Sequence, residues 1–363
     1  MRFIEAFFLR EWQRRSAWQI LLRPVALLFW LLVYLRRWSF GRGWRASRHL
    51  SKPVVVIGNI TVGGTGKTPL VIALSARLRS RGRMAAIVTR GSGGREERVV
   101  RRIGALDADD ALGDEARVIA RRTQLLVYAS TDRVAAGVLA FQENPNAALV
   151  LSDDGLQHYR LARDIEVAVV DGTRGLGNGW VLPAGPLREP VTRLNAVDCI
   201  VVNKTASTTP LAPRDSEPEE WLMQLRANSN TVPPIFEMRY GAERFVSVLD
   251  GAERKLADLI EQSSRQRVVA VAGIGFPARF FAHLMSLGVR VQATHAFADH
   301  HGFRSEDFRD ITADIIVMTE KDAVKCQAFA DDRFVEMRVD ALLPEAFYQF
   351  IESRLAALDA NGH

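Results

Sequence analysis

Residues 58–69 read Gly-Asn-Ile-Thr-Val-Gly-Gly-Thr-Gly-Lys-Thr-Pro, and no other stretch restricts the fold so narrowly. The β-branched run VVVIG (54–58) leads into it, and a helical pattern from Thr68 to Ser80 follows. A glycine-rich turn between a strand and a helix is the setting of a phosphate-binding loop. Glycines let backbone N–H groups turn toward phosphate oxygens, and the helix N-terminus adds a positive dipole. In that reading Thr61, Val62, Gly63, Gly64, Thr65 and Gly66 wrap the phosphates. Lys67 reaches the β- and γ-phosphates, and the Thr68 hydroxyl ligates Mg²⁺.

The consensus spacing would place glycine where Thr61 stands. The GGTGKT core is instead similar to the variant loop of the nitrogenase iron protein and the septum-site ATPases. Downstream, AAIVT (85–89), LLVYAS (125–130), AALVLSDD (147–154), EVAVVDG (166–172) and AVDCIVVNK (196–204) alternate with helical stretches. Continuous apolar strands alternating with helices predict an α/β fold: a P-loop NTPase-type parallel sheet with helices on both faces. The Thr-, Pro- and acid-rich segment 205–219 reads as a surface linker. PIFEMRY (234–240) and RFVSVLDG (244–251) are expected to pair as a hairpin. A second strand–helix set follows in RVVAVAGIG (267–275), Pro277–Ser286, VRVQATHAF (289–297) and DIIVMTEKDAVK (314–325), with a last helix over Leu343–Leu358.

The formal charge of +6 is unevenly spread. Residues 1–52 carry 11 Lys/Arg against 2 Asp/Glu, and the remainder 37 against 40. The basic balance therefore belongs to the N-terminal segment and gives no ground for a nucleic-acid partner. That segment holds Trp12, Trp18, Trp30, Trp38 and Trp44 around an apolar stretch from Trp18 to Leu35, which Arg23-Pro24 interrupts. Arg10, Arg14 and Arg15 precede it, and Arg36, Arg37, Arg42 and Arg45 follow. Tryptophan at headgroup depth and flanking arginines predict a membrane-associated helix, lying in an anionic leaflet or spanning it with Arg23 snorkelling. Cys199 and Cys326 offer neither a disulfide framework nor metal-ligand spacing, which suits a reducing compartment.

Carboxylates cluster at strand ends. Asp153-Asp154 closes a strand as Mg²⁺-holding aspartates do. Asp171 closes another and reads as a turn aspartate. Asp114 in G-D-E-A is open between a helix cap and a site residue. His300-His301 follows Asp299 after a strand, in a pattern compatible with an Asp–His relay.

Taken in order, GNITVGGTGKTP (58–69), TRG (89–91), GDEA (113–116), SDDGLQH (152–158), LPAGPLREP (182–190), FADHH (297–301) and TEKDAVK (319–325), together with the N-terminal segment, resemble the tetraacyldisaccharide 4′-kinase family of lipid A synthesis. The resemblance implies an ATP- and Mg²⁺-dependent kinase acting on a membrane lipid, a tetraacylated glucosamine disaccharide 1-phosphate, at the cytoplasmic leaflet of the bacterial inner membrane. It implies an anchor over 1–52, a kinase domain over 53–225, a two-stranded linker over 226–252 and a smaller C-terminal α/β domain over 253–363. It puts the catalytic aspartate on Asp114 and its partner histidine on His300. It also places the paired aspartates on Asp153 and Asp154, a motif arginine on Arg188, a basic residue on Arg90, and a metal-site carboxylate on Glu189 beside Thr68 and Asp154. Ala116 stands where the family commonly has proline. The alternative is a membrane-associated nucleotide-switch ATPase of the septum-site kind, but those proteins carry lysine where Val62 stands.

Overall fold

The computed structural model describes residues 11–12, 17–90, 99–105, 113–204, 232–241 and 243–360. The surface linker read over 205–219, Gly91 of the TRG motif, and Arg10, Arg14 and Arg15 lie outside them. Fifteen strands are described: β1 (Val54–Gly58), β2 (Ala85–Thr89), β3 (Arg101–Ile103), β4 (Val127–Ala129), β5 (Leu149–Asp153), β6 (Ile165–Asp171), β7 (Cys199–Asn203), β8 (Ile235–Tyr240), β9 (Arg244–Ser247), β10 (Glu253–Arg254), β11 (Val268–Ala272), β12 (Ala293–Ala296), β13 (Ile315–Thr319), β14 (Phe334–Arg338) and β15 (Ala341–Leu342). The helices are α1 (Ala17–Gly41), α2 (Lys67–Ser80), α3 (Asp114–Thr123), α4 (Arg133–Glu143), α5 (Leu256–Ser263), α6 (Pro277–Ser286), α7 (Glu320–Cys326) and α8 (Glu345–Ala360).

The first sheet has the order β15-β8-β7-β6-β1-β5-β2-β4-β3. Its inner seven strands run parallel, and β3 and β15 close the edges antiparallel. Every residue of β1, β2, β5, β6 and β7 is buried, as expected when helices cover both faces. Val55 and Ile57 of β1 meet Leu70, Leu74 and Leu78 of α2, Ile119 of α3, and Phe347, Ile351 and Leu355 of α8. Val54 and Val56 face the other way, toward Val134, Ala136 and Ala140 of α4 and Ala26 of α1.

The second sheet has the order β10-β9-β14-β13-β11-β12. Here two expectations are corrected. The segments 234–240 and 244–251 do not pair as a hairpin: β8 joins β7 in the first sheet, and β9 joins β14 and β10 in the second. Nor do the last residues stay with the second sheet. β15 pairs with β8, and the apolar stripe of α8 packs beside α2.

Helix α1 continues through Pro24, so the apolar stretch is not broken there. Proline removes one N–H, whose partner carbonyl would be that of the outward-facing Ile20. Arg23 does not lie in the apolar face; its guanidinium stacks 4.8 Å from the centroid of Trp180. Leu22, Ala26 and Phe29 form the stripe that rests on the body. Asn178 donates to Gln19 near one end, and Arg36 donates to the Gln157 carbonyl near the other. Leu21, Val25, Leu28 and Leu32 face outward.

Candidate active site

A cavity of about 1250 Å³ opens between the two sheets. The C-terminal ends of β1, β2, β5, β6 and β7 meet it from one side, and the ends of β11, β12 and β13 from the other. That is where parallel sheets place their ligand sites.

The glycine loop forms its floor. Gly63 and Gly66 adopt φ of +91° and +96°, which side-chain-bearing residues rarely adopt. Gly66 directly precedes α2, and Lys67 and Thr68 open that helix. Thr61, on the buried β-side of the loop, is bridged to Leu187, and the Val62 N–H bonds the Pro186 carbonyl. Asn59 braces the turn, donating to the carbonyls of Thr61 (2.9 Å) and Gly63 (3.3 Å), while its side-chain Oδ1 accepts from Lys67. From β7, Asn203 donates to the Thr65 carbonyl at 3.1 Å. Neither asparagine role is readable from sequence spacing.

Lys67 also lies 3.3 Å from Asp154. Arg188 approaches both Asp154 oxygens at 3.3 Å. Burial would raise the Asp154 carboxyl, but Lys67 and then Arg188 hold it at about 2. Asp153 differs. It is 1% exposed, and neither carboxylate oxygen has a hydrogen-bond partner. Burial, and then Glu115, push it up to about 7. Arg133 bonds the backbone carbonyls of both aspartates and fixes this strand end. Arg90 is exposed and lines the cavity. Glu189 does not line it: its carboxylate accepts from Gln157 and Tyr159 and lies 3.7 Å from Arg193. Asp171 is a turn aspartate as read, accepting from the N–H groups of Thr173 and Arg174. It also faces Arg279 of α6 across the cavity at 3.5 Å.

On the opposite wall, Gly113 occupies the cap position, so Asp114 is the first helical residue and not a cap. His300 Nδ1 lies 3.0 Å from Asp114 Oδ2 and 3.1 Å from Oδ1. Residues 186 positions apart thus meet, because α3 of the first sheet packs on α7 of the second. Burial would raise the Asp114 carboxyl, yet the His300 hydrogen bond and charge, with Lys321 and Lys325, hold it at about 2. The same hydrogen bond raises the His300 imidazole above its ordinary value. His301 turns away to Asp307 and packs on Phe297 and Phe303.

A phosphate loop on a parallel sheet, an aspartate pair behind it and an Asp–His pair across one cavity define a P-loop phosphotransferase. The family described as tetraacyldisaccharide-1-P 4′-kinase (LpxK) matches residues 18–356, and the chain belongs to that family. A tetraacyldisaccharide 4′-kinase of Methylobacillus flagellatus is 41% identical over 349 residues, covering 96% of each chain. One from Xanthomonas axonopodis pv. citri is 43% identical, covering 93% of this chain and 92% of its own. One from Xylella fastidiosa is 44% identical, covering 90% and 89%. The crystal structure of an "apo" form of LpxK from Aquifex aeolicus in complex with ATP superposes with a TM-score of 0.73 at 25% identity, covering 93% of this chain and 99% of that one. The switch-ATPase alternative falls with this assignment.

Proposed function

We propose that the chain transfers the γ-phosphate of ATP to the 4′-hydroxyl of a tetraacylated glucosamine disaccharide 1-phosphate, giving the bis-phosphorylated lipid A precursor lipid IVA. The observation that carries this reading is that Lys67 and the Asp114–His300 pair line one cavity from opposite walls. In the reaction Asp114 takes the proton of the hydroxyl, whose oxygen bonds to the γ-phosphorus. The bond to the β–γ bridging oxygen breaks and ADP leaves. Lys67 neutralises charge on the transferring group, and His300 orients the carboxylate.

The residues present fit Mg²⁺. Asp153 offers two buried oxygens without hydrogen-bond partners. Among the described residues no cluster of three or more His, Cys, Asp or Glu side chains forms a protein cage. That matches an ion held by one or two carboxylates, a hydroxyl and the nucleotide itself. Thr68, with Asp153 or Asp154, would hold it; Glu189 would join only after releasing Gln157 or Tyr159. When bound, Mg²⁺ supplies positive charge to the β- and γ-phosphates.

A substrate with four acyl chains stays in the bilayer, since each buried methylene holds it by about 0.8 kcal/mol. Helix α1 supports delivery there. It has a stretch of mean hydropathy 1.7 and is long and apolar enough to cross a membrane. Yet its inner stripe is held on the body from Gln19 to Arg36, a length of about 26 Å. We therefore assign it to the surface of the cytoplasmic leaflet, lying rather than spanning, with its outer leucines in the acyl region.

The test supplies γ-labelled ATP, Mg²⁺ and the acylated disaccharide 1-phosphate in detergent–phospholipid micelles. Label should appear in the lipid, with NMR placing it on O4′. Label released only as free phosphate overturns the proposal.

A further inference from the structure

The segment Thr-Glu-Lys-Asp-Ala-Val-Lys (319–325) is among those that carry the family resemblance, yet the phosphoryl transfer above leaves it without a task. Its first residues have a local explanation. Thr319 caps α7 by accepting the Asp322 N–H. Capping does not explain why the Asp322 side chain is wholly buried, or why a second buried charge, Lys325, stands beside it.

The geometry accounts for both. Lys325 Nζ lies 3.0 Å from Asp322 Oδ1 and 3.7 Å from Asp114 Oδ2. It is packed against the ring of Phe303, its nitrogen 5.3 Å from the centroid. The other Asp322 oxygen accepts the Gly273 N–H at 3.0 Å. The Gly273 carbonyl in turn accepts the N–H of His300, a residue held at φ +56°. Gly273 has no room for a side chain: a Cβ would lie 3.1 Å from Asp322 Oδ1 and 3.2 Å from Phe303. One buried carboxylate therefore holds the lysine on one side of Asp114 and, through the single residue Gly273, the histidine on the other.

We propose that Asp322 and Lys325 are positioning residues for phosphoryl transfer: Asp322 aligns the two cationic neighbours of Asp114, and Lys325 keeps that carboxylate aimed into the cavity. The proposal rests on Asp114 being the base. The charged groups facing Asp114 are His300 from the loop after β12, Lys321 and Lys325 from α7, and Glu115 from its own helix. Those facing Lys325 are Asp114 and Asp322.

The experiment measures kcat and the ATP KM from pH 4.5 to 9 for the full chain and for Lys325→Met, Lys325→Arg, Asp322→Asn and Asp114→Asn. Asp114 is ionised throughout this range, so the variants should act through aim and not through titration. Lys325→Met should lower kcat about ten- to a hundredfold at every pH, as misplacement of a reacting group does, with the ATP KM within about twofold. Lys325→Arg should recover most of that loss. Asp322→Asn should lower kcat with the same unchanged ATP KM. If Lys325→Met does not fold, the double variant Asp322→Asn/Lys325→Met leaves no buried charge unpaired and carries the same expected loss. A wild-type kcat in a folded Lys325→Met or double variant, or a loss matched by an equal rise in the ATP KM, overturns the positioning role, provided Asp114→Asn is inactive. An Asp114→Asn protein with wild-type turnover overturns the base assignment itself.

Discussion

Three neighbouring glycines give the loop an internal contrast that Gly66→Ala puts to use. Gly66 stands at φ +96°, and an added Cβ would lie 2.6 Å from Asn203 Nδ2, 2.9 Å from Met238 Cε and 3.1 Å from the Tyr240 hydroxyl. Forcing alanine into that backbone region costs about 1–2 kcal/mol. Displacing Asn203 loses its bond to Thr65, about 1 kcal/mol, and crowding the buried Met238 adds about 1–3 kcal/mol. Together these give roughly 4 kcal/mol, a fall in Tm of about 5 °C for a chain of 363 residues. Gly64 is the control, for a Cβ there meets nothing within 4 Å. Gly64→Ala should keep the wild-type Tm within about 1 °C. The assay is thermal unfolding with and without ATP. Wild type should gain about 2.7 kcal/mol at a nucleotide concentration a hundred times Kd, and Gly66→Ala should gain almost none. If Gly66→Ala melts with Gly64→Ala and keeps the ATP increment, the loop does not hold nucleotide in the way argued here.

Asp114→Asn should lower kcat by about 10²–10⁴, the usual worth of a positioned base, with ATP affinity by fluorescence titration near wild type; unchanged turnover would remove Asp114 from the chemistry. The Asp114–His300 pair also fixes a pH window. The raised His300 contributes stability that is full below its unfolded value near 6.5 and is lost as pH climbs through its folded value. The depressed Asp114 contributes stability present above about 3.8 that is lost as pH falls through about 2. Urea midpoints should therefore decline less above pH 6.5 in His300→Ala than in wild type, and parallel curves would contradict the pairing. Arg122 reaches Glu320 at 3.0 Å and also Asp340, both on the far side of the α3–α7 contact. Arg122→Ala should cost about 2–3 kcal/mol by denaturant titration, since Glu320 is left almost buried without this partner. On the outward face of α1, Leu28→Glu/Leu32→Glu should weaken sedimentation with anionic vesicles at least tenfold while leaving Tm unchanged; undiminished binding would dismiss that face as the membrane contact.

The strand–loop–helix of residues 54–80 was legible because its signals are local. A β-branched run, glycines before a lysine and a helical pattern act within a few residues of one another, and the helix begins one residue from where the pattern puts it. Continuous apolar runs likewise forecast a parallel sheet covered on both faces. Pattern alone did not reveal the short strands β3, β10 and β15, because two or three residues carry no period. Nor did it separate Gly64 from Gly66, which differ only in what stands nearby.

The amino-acid order by itself settled which longer segments form the core strands of the first sheet and which carries the phosphate loop. Only the tertiary structure decided that β8 and β9 part into different sheets, that α8 returns to the first, and that Lys325 joins Asp114. His300 as the partner of Asp114 is legible only through the family pattern; spacing across 186 residues says nothing. The reason is that alternation tells a strand to be buried but not beside which neighbour. That choice is made by long crossovers closing over the whole core, and the chemistry gathers where their ends meet.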